Sequence, residues 1–566
     1  MSTGGLPGAL RTLLSAASDE WRATPFYRMM LSGADPAAGL IWPIDARLGR
    51  EARGREILKG EWRFGSERLP NRRPNPFTAN LPSEHFAARL HGFSWLGDLA
   101  ACGLDARNAL IGLITAWTDG FGNWHAEAWA PEITANRLYA WLCHGSAAFE
   151  SQDLAARPAI LRSLGRQARH LQLAVGDIID PMARIKAGAA LSLAGIAGLP
   201  EADRLLDLGL ETLMECCAGQ FLADGGHLTR APELLAEAHY DCVTVSMALT
   251  RAKLEVPRLI TDMLSRSADM LRLLRLPDGK LACFNGGGEG DGPSLEAALL
   301  RIPSARPFRF ASQSGFHRLE AGPACVVMDA GSAPPAGYGE RAHAGALAFE
   351  FSDGPDRMVV NVGSSLDLHP EWRAASRPTN AHSTLIVDDA LSCRFETARL
   401  GRPGARPIGP PGLSVRRTED EEGAWVEASH EGYRAEFGLV HRRTVFLDRA
   451  GKDLRGQDAL VRPLADGRSA TQEAIPFAVR FHLHPSVTVE RGPSGALAVR
   501  TAQTGQLWRL RTDAAIVELE PSIYLADPGG PLKARQIVLK AMADPNGAGD
   551  GAPNRIRWAF TRFERA

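Results

Sequence analysis

The hydrophobic period of this 566-residue chain changes once, near residue 300, and that change limits the fold more than any other feature. From about residue 85 to 275, apolar side chains recur at spacings of three and four, the repeat of an amphipathic helix. HFAARLHGFSWLGDLAA (85–101), ARNALIGLITAWTDGF (106–121) and LITDMLSRSADMLRLLRL (259–276) show it plainly. The segments are long and the connections short, which predicts roughly eight to ten helices packed as antiparallel pairs. After residue 305 the period becomes two. SGFHRLEA, ACVVMDAG, RMVVNVG, STLIVDDA and RFHLHPSVTVE read as short strands between turns, and a run of them predicts a two-sheet sandwich. Between the halves, LPDGKLACFNGGGEGDGPS (276–294) cannot continue a helix through Gly286–Gly288 and reads as a loop at the junction. The expectation is an α+β multidomain chain, helical over residues 1–300 and an antiparallel β-sandwich over 301–566.

Composition then removes whole classes of function. With 45% hydrophobic and 23% charged residues, the chain resembles ordinary globular proteins and not a disordered one. No uncharged apolar run reaches the ~18 residues of a membrane span. A net charge of −1 gives no general argument for nucleic acid or an anionic membrane surface as partner. The eight Cys lack CxxC spacing and sit in apolar stretches, which reads as free thiols in a reducing compartment. The first 31 residues read as an amphipathic helix without the features of a secretory signal. Cytoplasmic localisation is therefore expected, with the periplasm or cell envelope as the alternative.

The densest polar cluster lies early in the second half, between Tyr338 and Asp389. It holds Arg341, His343, Asn361, His369, Arg373, Arg377 and His382. Strand alternation would put Arg341 and His343 on one face. Polar groups at strand ends can form a site at a sandwich edge. The competing reading is a polar seam between domains, with buried, satisfied histidines. In the helical half, Trp124 with His125 and Glu127 could line a cleft or belong to an aromatic core loop. Each of the other Trp residues there reads more readily as core than as a sugar platform.

These stretches carry a resemblance. AHAGALAFEF, RMVVNVG and RPTNAHSTLIVDD resemble the signature of the heparinase II/III-like family: H-x-H-x-D-x-L-x-F-E, then L-V-D-x-G, then R-x-T-x-H-N-T. HGFSWLGDL, DGGHLTRAPELL, FNGGGEG and GYRAEFGLVHRRTVFLD agree with it, so the resemblance spans roughly residues 45–566. It implies an incomplete (α/α) toroid followed by the antiparallel sandwich. It also implies a polysaccharide lyase acting on a uronate-containing chain, with an acidic polysaccharide or oligosaccharide as partner. Such a lyase neutralises the uronate carboxylate, removes the C5 proton with a His or Tyr base, and protonates the leaving O4.

The sequence departs from the pattern at several of its positions. Arg341 stands where the first His would be, and Gly345 replaces the Asp. Asn361 replaces the Asp of L-V-D-x-G, and Ser383 replaces the Asn of H-N-T. The resemblance implies zinc in some members, which here would fall to His343, Asn361 and His382. A neutral Asn is a poor third ligand, so the expectation is no zinc or a weakly held one, and no other cofactor is called for. The place of the family's catalytic Tyr holds Leu234, with Tyr240 six residues on. The candidate catalytic set is Arg341, His343 and Tyr240. The candidate substrate contacts are His227, Trp124 and Arg377. The expected function is β-elimination of an acidic polysaccharide. The alternative is a non-catalytic or redirected member that binds a glycan or a protein. A hydrolase would need paired carboxylates, and Glu289 with Asp291 is the loop pair at hand.

Overall fold

The computed structural model describes residues 18, 20–36, 39–149, 156–304, 308–396, 406–463, 473–492, 495–545 and 553–563. Most of the expected N-terminal amphipathic helix (residues 1–17) lies outside them, as does part of RLGRPGARPIGPPGLS (399–414), a Pro/Gly-rich stretch that reads as an exposed loop within the second half.

The first half is helical. Its longer helices are Arg107–Phe121, Pro131–His144, Ala156–Ala174, Pro181–Ile196, Ala202–Gln220, Pro232–Arg251 and Arg258–Leu274, with Gly292–Arg301 last. Local chemistry sets several starts. Asp180 accepts from Ala183 N at 2.8 Å ahead of Pro181, and Asp291 accepts from Ser294 N at 2.9 Å ahead of Pro293. In Arg258–Leu274 the 3.6-residue repeat buries Ile260, Met263, Leu264, Leu271 and Leu274. Helices Pro181–Ile196 and Ala202–Gln220 pack so closely that a Cβ on Gly209 would lie 2.3 Å from Ser192 N. The core is aromatic: Trp95, Trp117, Trp129 and Trp141 are buried, and Arg137 stacks 4.1 Å from the Trp117 ring centre. Among the described residues, the only strands in this half are Arg63–Phe64 and Glu67–Arg68. No described helix is long and apolar enough to cross a membrane.

Among the described residues the second half is built on two large antiparallel sheets, with a two-stranded ribbon of Arg394–Phe395 and Pro407–Ile408 beside them. One runs Ser414–Glu419, Gly423–His430, Val440–Asp448, Asp453–Val461, Arg555–Phe563, Leu507–Thr512, Leu497–Arg500, Thr488–Arg491. The other runs Ile516–Tyr524, Leu532–Ala543, Ile475–Leu483, Asp356–Val360, Phe349–Asp353, Ala324–Asp329, Phe316–Ala321, with Leu385–Val387 also paired to Ile475–Leu483. Strand Val440–Asp448 alternates buried and half-buried residues along its whole length, as a sheet with one face on the core must. The inward rows meet in a core that includes Val426, Val445, Leu447, Phe481 and Trp558. The architecture is a helical toroid followed by a β-sandwich, the fold class expected from the change of period.

Two charged residues lock the halves together. Arg230 is buried with its backbone in the left-handed region, φ 54°. Its guanidinium pairs with Asp329 and donates to Ser314 O at 2.9 Å and Ser332 O at 2.8 Å. Arg357, on the sandwich, donates to Asp278 Oδ2 of the helical half at 2.7 Å.

Candidate functional site

The site lies where the Gly286–Gly288 loop meets the sandwich. Glycine is needed at Gly286, because a Cβ there would sit 2.5 Å from Arg341 O and its φ is 88°. On the other side, Gly288 N donates to Glu233 Oε2 at 2.7 Å. Glu233 lies in the first turn of Pro232–Arg251, which begins at Pro232. Glu233 and Arg341 therefore flank the loop from opposite domains.

The segment carrying Arg341 and His343 is not a strand. The strand begins at Phe349, and Leu347 just before it has φ 59°. The alternation that would have put both side chains on one face is absent, and the two diverge. Arg341 is half-buried and its guanidinium makes no hydrogen bond or ion pair among the described residues. His343 is buried, with Nδ1 3.0 Å from His382 Nε2 and Nε2 3.4 Å from Ser376 Oγ. His382 Nδ1 lies 2.9 Å from Pro378 O, which can only accept, so that nitrogen carries the proton. His382 Nε2 then accepts from His343 Nδ1–H, and the lone pair of His343 faces Ser376 at the end of helix Pro370–Ala375. Burial depresses both rings, His382 to about 4 and His343 well below its ordinary value. Burial thus favours the neutral form of both rings, and His343 is bonded within this pair.

The candidate zinc set does not converge. Asn361 is fully buried and turned elsewhere: its amide donates to Cys283 O at 3.2 Å and Glu350 Oε1 at 3.4 Å, and its oxygen accepts from Ser383 N at 3.0 Å. Gly345, where the family pattern has Asp, is filled by the His382 ring, 2.6 Å from where a Cβ would be. A zinc site needs three or four convergent ligands, and these residues supply two histidines bonded to each other. Among the described residues no group of three or more His, Cys, Asp or Glu is placed to hold a metal ion.

The other candidates are dispersed. Tyr240 is buried, under Arg47 at 5.1 Å from its ring centre, and burial raises its phenol well above the ordinary range. Arg47 itself is tied to Glu237 Oε2 at 2.8 Å and Asp241 Oδ1 at 2.7 Å, with Lys186 on Asp241 at 2.5 Å. His227 is buried between Thr229 Oγ1 at 2.9 Å and Gln220 Oε1 at 3.0 Å, and burial lowers it to about 3. Both of its nitrogens are engaged, so it offers nothing to a substrate in this arrangement. Trp124 lines a small cavity with Arg28, Met29 and Arg166, all from the helical half. Arg377 donates to Ala342 O at 2.9 Å and stacks 4.7 Å from the Phe395 ring centre. Glu289 and Asp291 are not a catalytic pair: Glu289 is buried against Tyr524 at 2.6 Å, and Asp291 is a helix cap.

One group at the junction, Glu233, escaped the sequence reading, and Arg373 entered it only as a member of the polar cluster. Burial pushes the Glu233 carboxyl up to about 8, against partial relief from the Gly288 N–H. Burial and repulsion from Arg341 and Arg377 lower Arg373 to about 10. Only the directly preceding Pro232 marks Glu233 in sequence, as a first-turn carboxylate. The junction thus gathers Arg341, Arg373 and Arg377 near Glu233, whose carboxyl burial holds up, with Glu340 and Asp367 close enough to act on the arginines.

Residues 303–559 match the heparinase II/III-like C-terminal family. FtsZ-localized protein C of Caulobacter vibrioides is 33% identical over 564 residues, covering 96% of this chain and 94% of that protein. The chain belongs to the heparinase II/III-like family. The crystal structure of heparinase III superposes with a TM-score of 0.69 over 99% of this chain and 92% of that one, at 14% identity. A mutant of the heparan sulfate lyase HepC from Pedobacter heparinus superposes at 0.58, also at 14% identity, over 99% and 92%. At that identity the likeness shows the fold, and the family's elimination chemistry has to be judged on the residues above.

Proposed function

We propose that this chain is a binding member of the heparinase II/III-like family, without β-eliminating activity, that associates with FtsZ on the cytoplasmic side of the cell. The observation that carries the first part is the closed His343–His382 pair. General-base catalysis needs the base within about 2.6–3.2 Å of the proton it removes, and the one lone pair on His343 is turned to the buried Ser376. Tyr240 is likewise buried under Arg47. The second part rests on the relative named for its localisation with FtsZ, which this chain matches over nearly its full length. Co-sedimentation with assembled FtsZ tests it: the chain should enter the pellet with polymer and stay in the supernatant without it. Equal partitioning in both would refute the association.

A second reading is favoured by Arg341. Its unpaired guanidinium at the junction is suited to hold a carboxylate, which is the first requirement of a uronate lyase. On that reading an acidic oligosaccharide would still be bound there, with Arg373 and Arg377 adding charge. Binding of a uronate oligomer that weakens in Arg341→Ala, with no unsaturated product, would join the two readings. Product formation would favour the lyase.

A further inference from the structure

The outer face of the sandwich carries a cleft that shares no residue with the junction. It has a volume of about 240 Å³ and is lined by Arg416, Thr418, Asp420, Trp425, Glu427 and Thr444. The residues come from three neighbouring strands in register: Arg416 pairs with Glu427 and Glu427 with Thr444, while Thr418 pairs with Trp425 and Trp425 with Phe446. Strand Ser414–Glu419 is the sheet edge, so the cleft opens sideways. Ala424, Val426 and Ala428 fill the core-facing positions of the middle strand, and Trp425 points the other way, half-exposed. Phe446 supports it, with ring centres 4.4 Å apart and planes tilted by 35°, and Arg455 lies 5.9 Å from the Phe446 centre.

The polar groups around this ring are unused. Arg416 and Glu427 face each other across the strands, yet neither makes a hydrogen bond or ion pair among the described residues. The side chains of Thr418 and Thr444 and the indole N–H of Trp425 are also without a partner. Asp420 uses only Oδ1, accepting from Glu422 N at 2.8 Å and Gly423 N at 3.3 Å. A supported aromatic face with free donors and acceptors around it matches a ligand that has an apolar C–H face and a polar rim. One guanidinium against two carboxylates disfavours a polyanion. The volume falls below the ~300 Å³ at which drug-sized sites begin, so the cleft holds one ring of a saccharide and the neighbouring rings of a chain would lie outside it.

We infer that this cleft is a saccharide-binding site for a single neutral hexopyranose unit, stacked on Trp425 and hydrogen-bonded by Arg416, Glu427 and the two threonines. This goes beyond the proposed function, which assigns no role to these residues. The test uses the full chain and two probes, a neutral β-1,4-linked N-acetylglucosamine tetramer and a tetragalacturonate, with affinity read by calorimetry and contacts by saturation-transfer NMR. The neutral tetramer should bind, and Trp425→Ala should weaken it by at least about tenfold, as loss of an aromatic anchor does. Arg416→Ala/Glu427→Ala, two exposed positions that leave the core alone, should weaken it severalfold with the melting temperature unchanged. Absence of binding by the neutral tetramer, or equal binding by wild type and Trp425→Ala, would overturn the inference. So would a site that prefers the tetragalacturonate and loses it in Trp425→Ala.

Discussion

Arg341 and His343 stand two residues apart in one segment, and the fold treats them in opposite ways. His343 is enclosed, with both nitrogens assigned to His382 and Ser376. Arg341 is half-open and unpaired beside the glycine loop. The histidines that remain from the pattern bond to each other, and the residue that departed from it is the one left half-exposed at the junction.

The enclosed side should be the more fragile. Behind the histidine pair, Arg443 donates to Leu347 O and Ser383 O, both at 2.8 Å, and is paired with Asp458 at 2.7 Å with both side chains fully buried. Asp458→Ala would leave that guanidinium uncompensated, and the expected loss is about 3–5 kcal/mol. Urea denaturation followed through the sandwich checks it, and a loss below about 1 kcal/mol would mean the pair is not what braces the closed side.

Gly345→Asp restores the residue of the family pattern and asks whether the closed pair can tolerate it. The new Cβ would fall 2.6 Å from the His382 ring, so the expected outcome is destabilisation by about 1–3 kcal/mol through overpacking. Tight zinc binding by this variant, with stability kept, would show that the pair is a dormant metal site.

On the open side, Glu233 predicts a pH dependence with a definite sign. Burial raises its carboxyl from 4.5 to about 8. The folded state therefore holds the proton more tightly than the unfolded chain. The contribution is fully present below pH 4.5 and is lost as pH rises through about 8. Glu233→Gln mimics the neutral form and can still accept from Gly288 N. Relative to wild type its melting temperature should gain steadily between pH 5 and 8, and parallel curves would show the carboxyl is solvated.

The smallest effect is expected at Arg341. Arg341→Ala should change stability by no more than about 0.5 kcal/mol, because no partner is left behind, whereas His343→Ala should cost clearly more. If the two cost the same, the distinction between an open and a closed position fails.

The fold was legible because it rests on periodicity, which a single sequence carries: the repeat in LITDMLSRSADMLRLLRL maps onto the buried face of Arg258–Leu274. The site was less so, for three physical reasons. Alternation was assumed through Arg341 and His343, but Leu347 turns to positive φ and the strand starts late. Asn361 was placed with the histidines by motif order, and its amide is claimed by Cys283 and Glu350, which no local pattern encodes. Glu233 depends on burial created by a loop some fifty residues away, and the Trp425 cleft depends on the register of three strands.

If the family fold here binds without eliminating, as proposed, the chain releases no unsaturated uronate. The direct measurement is ultraviolet absorbance of unsaturated uronate after incubating the purified chain with heparan sulfate, alginate and polygalacturonate. The account predicts no product above the enzyme-free rate on any of them. Product that forms with wild type and vanishes in His343→Ala would contradict it, because it would place the enclosed histidine at a substrate C5 proton.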